Sequence, residues 1–231
     1  MAESLPARER GNLKRRPASG GYARGDEKRE RIIEAALRCF GEDGYLGAST
    51  RRIAQEAGVN PPAIQYYFDG KEGLYRACGD HVVARFRAAL QQAYAAAAAA
   101  TEPDSAMAAL LDLVETVVDF LLGTVEEDGW APFLARSQAK EDSGPKNEEA
   151  GQELQQELHD ACIRLVSLIL GRSAADPEIV FRGFMVMGQM SIFFLSREAV
   201  LARLGWTRLD GAHLGRLKAL LRLHTQAALA V

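Results

Sequence analysis

The sequence lacks the short motifs that mark many enzyme active sites. It has no GxSxG nucleophile motif, no P-loop and no GxGxxG dinucleotide fingerprint. Its four histidines, His81, His159, His213 and His224, are not paired at the spacing of metal ligands. These absences weaken the case for an enzyme, and we predict no catalytic residue, no cofactor and no metal site.

Cysteines are few, and no long apolar run is free of polar residues. Cys39, Cys78 and Cys162 stand far apart among apolar neighbours, without CxxC spacing, which indicates reduced thiols in a core. The most apolar stretch, 179–195, contains Arg182, and the N-terminus has no secretory signal pattern. The sequence therefore predicts a cytoplasmic protein with no membrane partner.

The alternation of apolar and polar residues that predicts β-strands is also absent. Hydrophobic residues make up 48% and charged residues 26% of the 231 residues, which is typical of a folded soluble protein. Apolar residues recur at helical spacing along most of the chain. We therefore predict an all-α fold.

Positive charge is concentrated at one end of the chain. The net charge of -3 does not itself favour nucleic acid, but acidic residues gather at 126–128 and 141–157 while the first thirty-odd residues are basic. Residues 1–25 also contain proline, glycine and little apolar content, which predicts a disordered basic arm. Two interpretations remain open, a flexible tail and a segment that follows a DNA groove.

Several helices can be placed from the apolar spacing. A first helix is predicted to end near Gly41–Gly44, and a long one extends to Ala100 through the helix propensity of alanine. Asp176 and Pro177 begin a helix that is apolar almost all round, so it must be covered on more than one side. Its small residues permit close approach of a neighbour: Gly183, Gly188 and Ser191.

The segment 48–71 has the layout of a helix-turn-helix. Two short helical patterns are separated by Gly58 and Val59, and a longer helix follows Phe68. Gly58 is suited to the left-handed conformation that ends a helix. The second short helix would enter the major groove of DNA, and its first residues would face the bases.

The side chains that flank this turn suit phosphate groups. The hydroxyl of Ser49 can cap the first short helix, whose N-terminus also carries free N–H groups. Thr50, Arg51 and Arg52 follow directly, and Lys71 lies close behind the second short helix as a phosphate clamp.

The second short helix supplies the predicted base contacts. Gln65 can read adenine through two hydrogen bonds, and Pro62 and Ala63 can meet thymine methyl groups. Tyr66 and Tyr67 point about 100° apart on a helix, so we expect one at a phosphate and the other nearer the core. The residues assigned to the groove are Asn60, Pro61, Pro62, Ala63, Gln65, Tyr66 and Tyr67.

With the preceding IIEAALRCFGEDGY and the following KEGLYRA, this stretch resembles the DNA-binding domain of the TetR family over about Glu27–Ala77. The resemblance implies a DNA-binding regulator, with groove and backbone contacts at Thr50, Arg51, Pro61, Pro62, Ala63, Gln65, Tyr66, Tyr67 and Lys71. Family members often carry a polar residue or lysine in place of Pro61, so DNA shape should contribute more to recognition here.

The C-terminal half is similar to one subgroup of that family. The stretches APFLARSQAKEDSG and FFLSREAVLARLGW resemble the CecR-like regulators, repressors linked to membrane transport and drug tolerance.

We therefore predict three regions: a basic arm at 1–25, a helix-turn-helix domain at 26–72 and a helical effector-binding and dimerisation domain at 73–231. The expected partners are double-stranded operator DNA with an approximate inverted repeat, a second copy of the chain, and a small apolar or amphipathic effector.

Large apolar side chains of the C-terminal region are candidates for the effector site. Core or dimer packing is the ordinary role of such residues, with ligand lining as the alternative. The candidates are Phe120, Trp130, Phe133, Phe184, Met187 and Met190.

Two other classes of function remain open at this stage. The first is an enzyme or ligand carrier with an accessory DNA-binding head, and the second is a non-specific architectural DNA-binding protein.

Overall fold

The computed structural model describes residues 20–123, 130–137, 144–145 and 148–230. All regular secondary structure in these ranges is helical, which confirms the predicted all-α fold. The helices are α1 (Gly20–Gly47), α2 (Thr50–Glu56), α3 (Pro62–Phe68), α4 (Lys71–Ala99), α5 (Pro103–Val118, continued by a π-helical turn at Asp119–Gly123), α6 (Trp130–Ser137), α7 (Glu148–Leu170), α8 (Pro177–Leu195), α9 (Arg197–Leu204) and α10 (Gly211–Leu229).

Helix α1 begins earlier and ends later than the sequence predicts. It starts at Gly20, inside the segment 1–25 expected to be disordered, because a single glycine such as Gly25 costs a helix only about 1 kcal/mol. Residues 1–19 of that segment lie outside the described residues. The predicted stop corresponds to a kink at Gly44, where φ is 71°, and one further turn follows.

The local signals around the helix-turn-helix act as expected. Ser49 caps α2 by accepting a hydrogen bond from the backbone N–H of Arg52, and Gly58 ends the turn with φ of 65°. Pro61 lies in the helical region although a proline follows it, and α3 begins at Pro62. The apolar residues Ile53, Ala54, Ile64 and Phe68 are buried in the core, where α2 packs against α1 and α3 packs against α4.

Helix α4 connects the helix-turn-helix to the C-terminal helices. It has 29 residues and begins directly behind α3. At its far end, Arg164 of α7 donates hydrogen bonds to the carbonyl oxygens of Ala97 at 2.6 Å and Ala100 at 2.9 Å. Charged donors at a helix C-terminus satisfy carbonyls that have no partner within the helix. The C-terminal end of α4 is therefore fixed to α7.

Helix α6 packs against α1 and joins the two halves of the molecule. The ring of Phe133 lies 5.0 Å from that of Tyr75 on α4 and 6.4 Å from that of Phe40 on α1. Arg136 donates hydrogen bonds to the carbonyl oxygens of Gly41 at 2.7 Å and Glu42 at 2.9 Å, just before the kink in α1. Carbonyl groups at the end of the first part of α1 thus accept hydrogen bonds from a side chain of the C-terminal half.

Helix α8 is buried on one face only. On that face, a Cβ at Gly183 would lie 2.6 Å from Ile163 of α7, so the predicted close approach at this glycine is confirmed. On the opposite face, Gly188 has open space around it. By length and composition α8 could cross a membrane, but core helices of soluble proteins satisfy the same criterion. The large exposed side chains of this face, called the α8 stripe below, are Phe181, Phe184, Met185, Ile192 and Leu195.

All three cysteines are free thiols within the core, as predicted. Burial raises the pKa of the Cys39 and Cys162 thiols to about 12 and raises that of Cys78 as well. Thiols with such values remain protonated and unreactive at neutral pH.

Candidate nucleic-acid interface

Helix α3 buries one face and leaves the other in solvent. Ile64 and Phe68 are fixed in the small core, whereas the side chain of Tyr66 is 82% exposed. Because the buried pair is four residues apart, the opposite face of the helix is exposed to solvent. The predicted groove residues that are exposed are Asn60, Pro61, Pro62, Gln65 and Tyr66.

The two adjacent tyrosines have different environments. Their rings meet edge to face with centroids 5.0 Å apart. Tyr67 is half-buried against the core, and its hydroxyl lies 3.9 Å from where a Cβ on Gly25 of α1 would be. Tyr66 has no such cover. The expected division into one outward and one inward tyrosine is therefore present.

Gln65 is exposed but already hydrogen-bonded within the chain. Its amide nitrogen donates to the carboxylate of Asp69 at 2.8 Å. Asp69 follows α3 in the left-handed conformation, with φ of 56°, which places its side chain beside the last turn. An amide nitrogen carries two N–H donors, so Gln65 can keep this bond while its second N–H and its carbonyl oxygen contact a base.

Arg52 is held by three carboxylates. Its guanidinium forms ion pairs with Glu42 and Asp43 of α1 and, at 2.8 Å, with Glu56 of α2. The hydrogen bonds to Glu42 and Glu56 raise the pKa of Arg52 above its ordinary value. The predicted phosphate contact at Arg52 is therefore not supported, because the donors serve to join α2 to α1.

Arg51 and Thr50 occupy the positions expected of backbone contacts. Arg51 is exposed on the first turn of α2, and within the described part of the chain it forms no ion pair. Thr50 is half-buried beside it. The Ser49 hydroxyl is exposed but already accepts the capping hydrogen bond at 3.4 Å, so its proton remains available to a phosphate.

Lys71 stands at the N-terminus of α4, behind the C-terminal end of α3. Its ammonium lies 4.8 Å from the ring centre of Tyr45 and donates to the carbonyl oxygen of Leu46 at 3.3 Å. An ammonium has three donors, so two remain for an anion. Contacts with Tyr45 and Leu46 thereby orient the side chain of Lys71.

Gly73 was not assigned a role in the sequence interpretation, yet it sets the distance between α3 and α4. A Cβ at this position would lie 1.8 Å from the carbonyl oxygen of Phe68. No side chain can occupy that space, so only glycine permits this approach. Helical periodicity gives no sign of such a contact, because it depends on the crossing of two helices.

The predicted effector residues divide into two groups. Phe120 stacks on Trp130 with ring centres 4.5 Å apart, and both are buried. Phe133, Met187 and Met190 are also buried, in contact with the same core. Phe184 is instead half-exposed on the α8 stripe, where it stacks on His159 at 4.2 Å. The structure does not bring Phe184 into the interior with the others.

Trp130 and Tyr94 each carry a buried polar atom without a partner among the described residues. The indole N–H of Trp130 is enclosed in the aromatic group around Phe120. The hydroxyl of Tyr94 lies in a groove of about 740 Å³ between α4 and α7, which is bridged by an ion pair between Arg87 and Glu157 at 2.9 Å. Unpaired buried donors are uncommon and call for an explanation.

Comparison with known proteins agrees with this geometry. Residues 32–78 match the family described as bacterial regulatory proteins, tetR family. Residues 106–230 match the C-terminal domain of the HTH-type transcriptional dual regulator CecR. These matches confirm both resemblances recognised in the residue pattern.

Among curated proteins, the HTH-type transcriptional dual regulator CecR of Shigella flexneri is 30% identical over 81% of this chain and 84% of its own length. Solved structures with the same fold include Bacillus subtilis FadR in complex with stearoyl-CoA (TM-score 0.59, 15% identity, covering 83% of this chain and 96% of FadR). Another is AibR in complex with isovaleryl coenzyme A and operator DNA (TM-score 0.61, 14% identity, covering 84% and 96%). The chain is therefore a transcriptional regulator and not an enzyme, and it belongs to the TetR family, with a C-terminal domain of the CecR type.

Proposed function

We propose that this chain is a cytoplasmic repressor that binds an approximately palindromic operator as a homodimer and leaves it when a small apolar or amphipathic ligand binds. The observation that carries the proposal is the exposed face of α3. Five residues suited to a DNA groove are exposed on α3 or directly before it, while the other face of this short helix is buried. A recognition helix needs this division.

The proposed contacts with DNA are those predicted from the sequence, with Arg52 removed. Asn60, Pro62, Gln65 and Tyr66 face the bases, since they lie on the exposed side of α3 or just before it. The remaining residues are proposed to contact the backbone or the groove wall: Ser49, Thr50, Arg51, Pro61, Ala63, Tyr67 and Lys71. Arg52 contributes by holding α2 in place through its three carboxylates.

The second copy of the chain is proposed to cover the α8 stripe. Phe181, Met185, Ile192 and Leu195 are spaced by four, seven and three residues, so they lie on one face of the helix. Leu220 and Leu223 are exposed on α10, which contacts α8. A side chain pair, Gln189 donating to Thr225 at 2.6 Å, fixes α8 against α10. Two such pairs of helices form a four-helix interface, as expected for a two-fold dimer.

The effector is proposed to enter the C-terminal domain beside Phe120 and Trp130. The aromatic rings there suit an apolar group, and the unpaired indole N–H of Trp130 suits a polar atom of the same ligand. FadR and AibR are described with acyl thioesters of coenzyme A, which are amphipathic molecules. This supports the same broad class of ligand here.

Release from DNA is proposed to pass through two helices. Helix α4 connects the helix-turn-helix to the C-terminal helices, and α6 carries Trp130 at one end and Arg136, bonded to α1, at the other. A shift of α6 on ligand binding therefore also displaces α1. A coupling of about 1–3 kcal/mol corresponds to roughly 5- to 150-fold weaker operator binding.

The test begins with selection of duplexes from a random DNA pool by the full-length protein. The recovered sequences should contain an inverted repeat with half-sites roughly 34 Å apart. Gln65→Ala should relax preference at one base position, whereas Lys71→Ala should weaken binding to all duplexes. Arg203→Ala on α9, which removes the same charge from an exposed side chain, is the control.

Two results would contradict the proposal. Equal affinity of the wild type for selected and random duplexes at one salt concentration would indicate an architectural DNA-binding protein instead. Activation of transcription in a reconstituted system with the selected operator would reject the repressor role. The second outcome has particular relevance because CecR of Shigella flexneri is named a dual regulator.

A further inference from the structure

We propose that Lys28 of α1 binds a DNA phosphate in a cleft beside α3, opposite the contact made by Lys71. This rests on the proposed operator binding and adds a backbone contact from a helix to which the sequence interpretation assigned none. The cleft measures about 520 Å³ and separates the start of α1 from the turn before α3. Its lining residues are Lys28, Gly58, Val59, Asn60, Pro62, Ala63, Tyr66 and Tyr67.

Lys28 has a free charge at this cleft. Its side chain is exposed, and across the described ranges it makes no hydrogen bond or ion pair. Its neighbour Arg29 differs, because the guanidinium lies 5.3 Å from the ring centre of Phe68. Arg52 is likewise occupied by carboxylates. Unlike Arg52, Lys28 therefore has all of its N–H donors available to a ligand.

The polar residues that share the cleft with Lys28 can donate hydrogen bonds. Asn60 has a side-chain amide, and Tyr66 and Tyr67 have phenol hydroxyls. The described residues that line the cleft include no carboxylate. A lysine with amide and hydroxyl donors around one solvent-filled space is suited to an anion, and the anion beside a recognition helix in DNA is a backbone phosphate.

The position of the cleft agrees with this assignment. Gly58, Val59 and Asn60 precede α3, so Lys28 lies beside the N-terminal end of that helix, whereas Lys71 follows its C-terminal end. A Cβ at Gly25 would lie 3.9 Å from the Tyr67 hydroxyl, so α1 passes beside α3 at the same place. A helix inserted in the major groove has a phosphate backbone on each side, and each lysine would meet one of them.

The test is a salt titration of DNA affinity. Lys28→Gln keeps helix propensity and removes the charge, and Lys28→Arg keeps the charge. The probes are one 30-base-pair duplex recovered by the wild type from a random pool and one duplex of shuffled sequence. Dissociation constants are measured between 50 and 200 mM KCl by fluorescence anisotropy.

We expect Lys28→Gln to weaken binding to both duplexes and to reduce the salt slope by about 0.9 per subunit. Raising KCl from 50 to 200 mM weakens binding by a certain factor in each protein. For the variant this factor should be roughly 3.5-fold smaller per subunit than for the wild type. Lys28→Arg should keep the wild-type slope, and so should Arg203→Ala. The unfolding temperature should not change, because Lys28 is exposed and unpaired.

An unchanged slope for Lys28→Gln, with a reduced slope for Lys71→Ala, would overturn the phosphate site and leave the operator proposal standing. A loss confined to the recovered duplex would also overturn it, since a phosphate contact does not depend on sequence. Failure of the wild type to recover any duplex would instead reject the proposed function itself.

Discussion

Arg136 on α6 donates a hydrogen bond to the backbone carbonyl of Glu42 at 2.9 Å, while the carboxylate of Glu42 pairs with Arg52 on α2. One residue of α1 thus connects a helix of the C-terminal domain with the first helix of the helix-turn-helix. The contact lies immediately before the kink at Gly44. The position of the helix-turn-helix relative to α1 therefore depends on a side chain from the C-terminal domain.

Replacing Arg136 by methionine should leave the carbonyls of Gly41 and Glu42 without a donor. Hydrogen bonds from charged groups contribute about 1.5–3 kcal/mol each, so the unfolding temperature should fall by several degrees. Operator affinity should fall as well. Arg136→Lys, which can satisfy one carbonyl, should be intermediate in thermal unfolding and in gel shift. An Arg136→Met protein with wild-type values in both measurements would show that the contact has no role.

Gly73→Ala should destabilise the helix-turn-helix, because the new methyl group would collide with the carbonyl oxygen of Phe68. Overpacking of this kind costs about 1–3 kcal/mol. The matched control is Gly151→Ala on α7, where the space is open and alanine should stabilise by up to about 1 kcal/mol. Urea unfolding of the two variants gives the comparison, and equal midpoints would contradict the predicted clash.

Met185→Glu should abolish the dimer. The side chain is 70% exposed on the α8 stripe, so a charge there does not disturb the folded monomer but would be buried by a second copy. Light scattering should change from twice 25.2 kDa for the wild type to 25.2 kDa. Leu46→Glu, at a side chain 74% exposed on α1, should keep the dimer. Monomeric wild-type protein that still binds an inverted repeat would contradict the interface.

Acidification should destabilise the protein partly through His159. Burial lowers the pKa of His159, with a smaller opposing effect of Asp160, so folding favours the neutral imidazole. Its contribution is complete above the ordinary pKa of about 6.5 and is lost as pH falls through the lowered value. We expect His159→Gln to lose less unfolding temperature between pH 7.5 and 5.5 than the wild type. An identical pH dependence would remove His159 as a cause.

Local signals predicted most of the helices because each depends on residues close in sequence. The cap at Ser49, the turn at Gly58 and the helix start at Asp176 all follow from the chemistry of one or two neighbouring residues. The apolar pattern predicts no separate helix at α9, which follows α8 directly and is divided from it by Ser196, with φ of -107°. A single residue with unfavourable dihedral angles leaves little trace in periodicity.

The site was harder to predict where its contacts join distant segments. Arg52 has the residue type and position of a phosphate contact, but α1 brings Glu42 and Asp43 to it. Phe184 lies on the exposed face of α8, and because that helix is apolar all round, its sequence does not indicate which face is inward. Both environments depend on tertiary packing, which the local pattern does not encode.

The attachment of α4 to Arg164 has a mechanical consequence. A helix of 29 residues is roughly 44 Å long, so rotation about its fixed end moves the other end by nearly 0.8 Å for each degree. A ligand that displaces the middle of α4 therefore produces a larger displacement at Lys71, the N-terminal residue of the helix. If the two copies of a dimer move in opposite directions, the distance between their α3 helices changes by twice that amount. The α3 helices would then no longer match the spacing of the two half-sites, which the pitch of the duplex fixes.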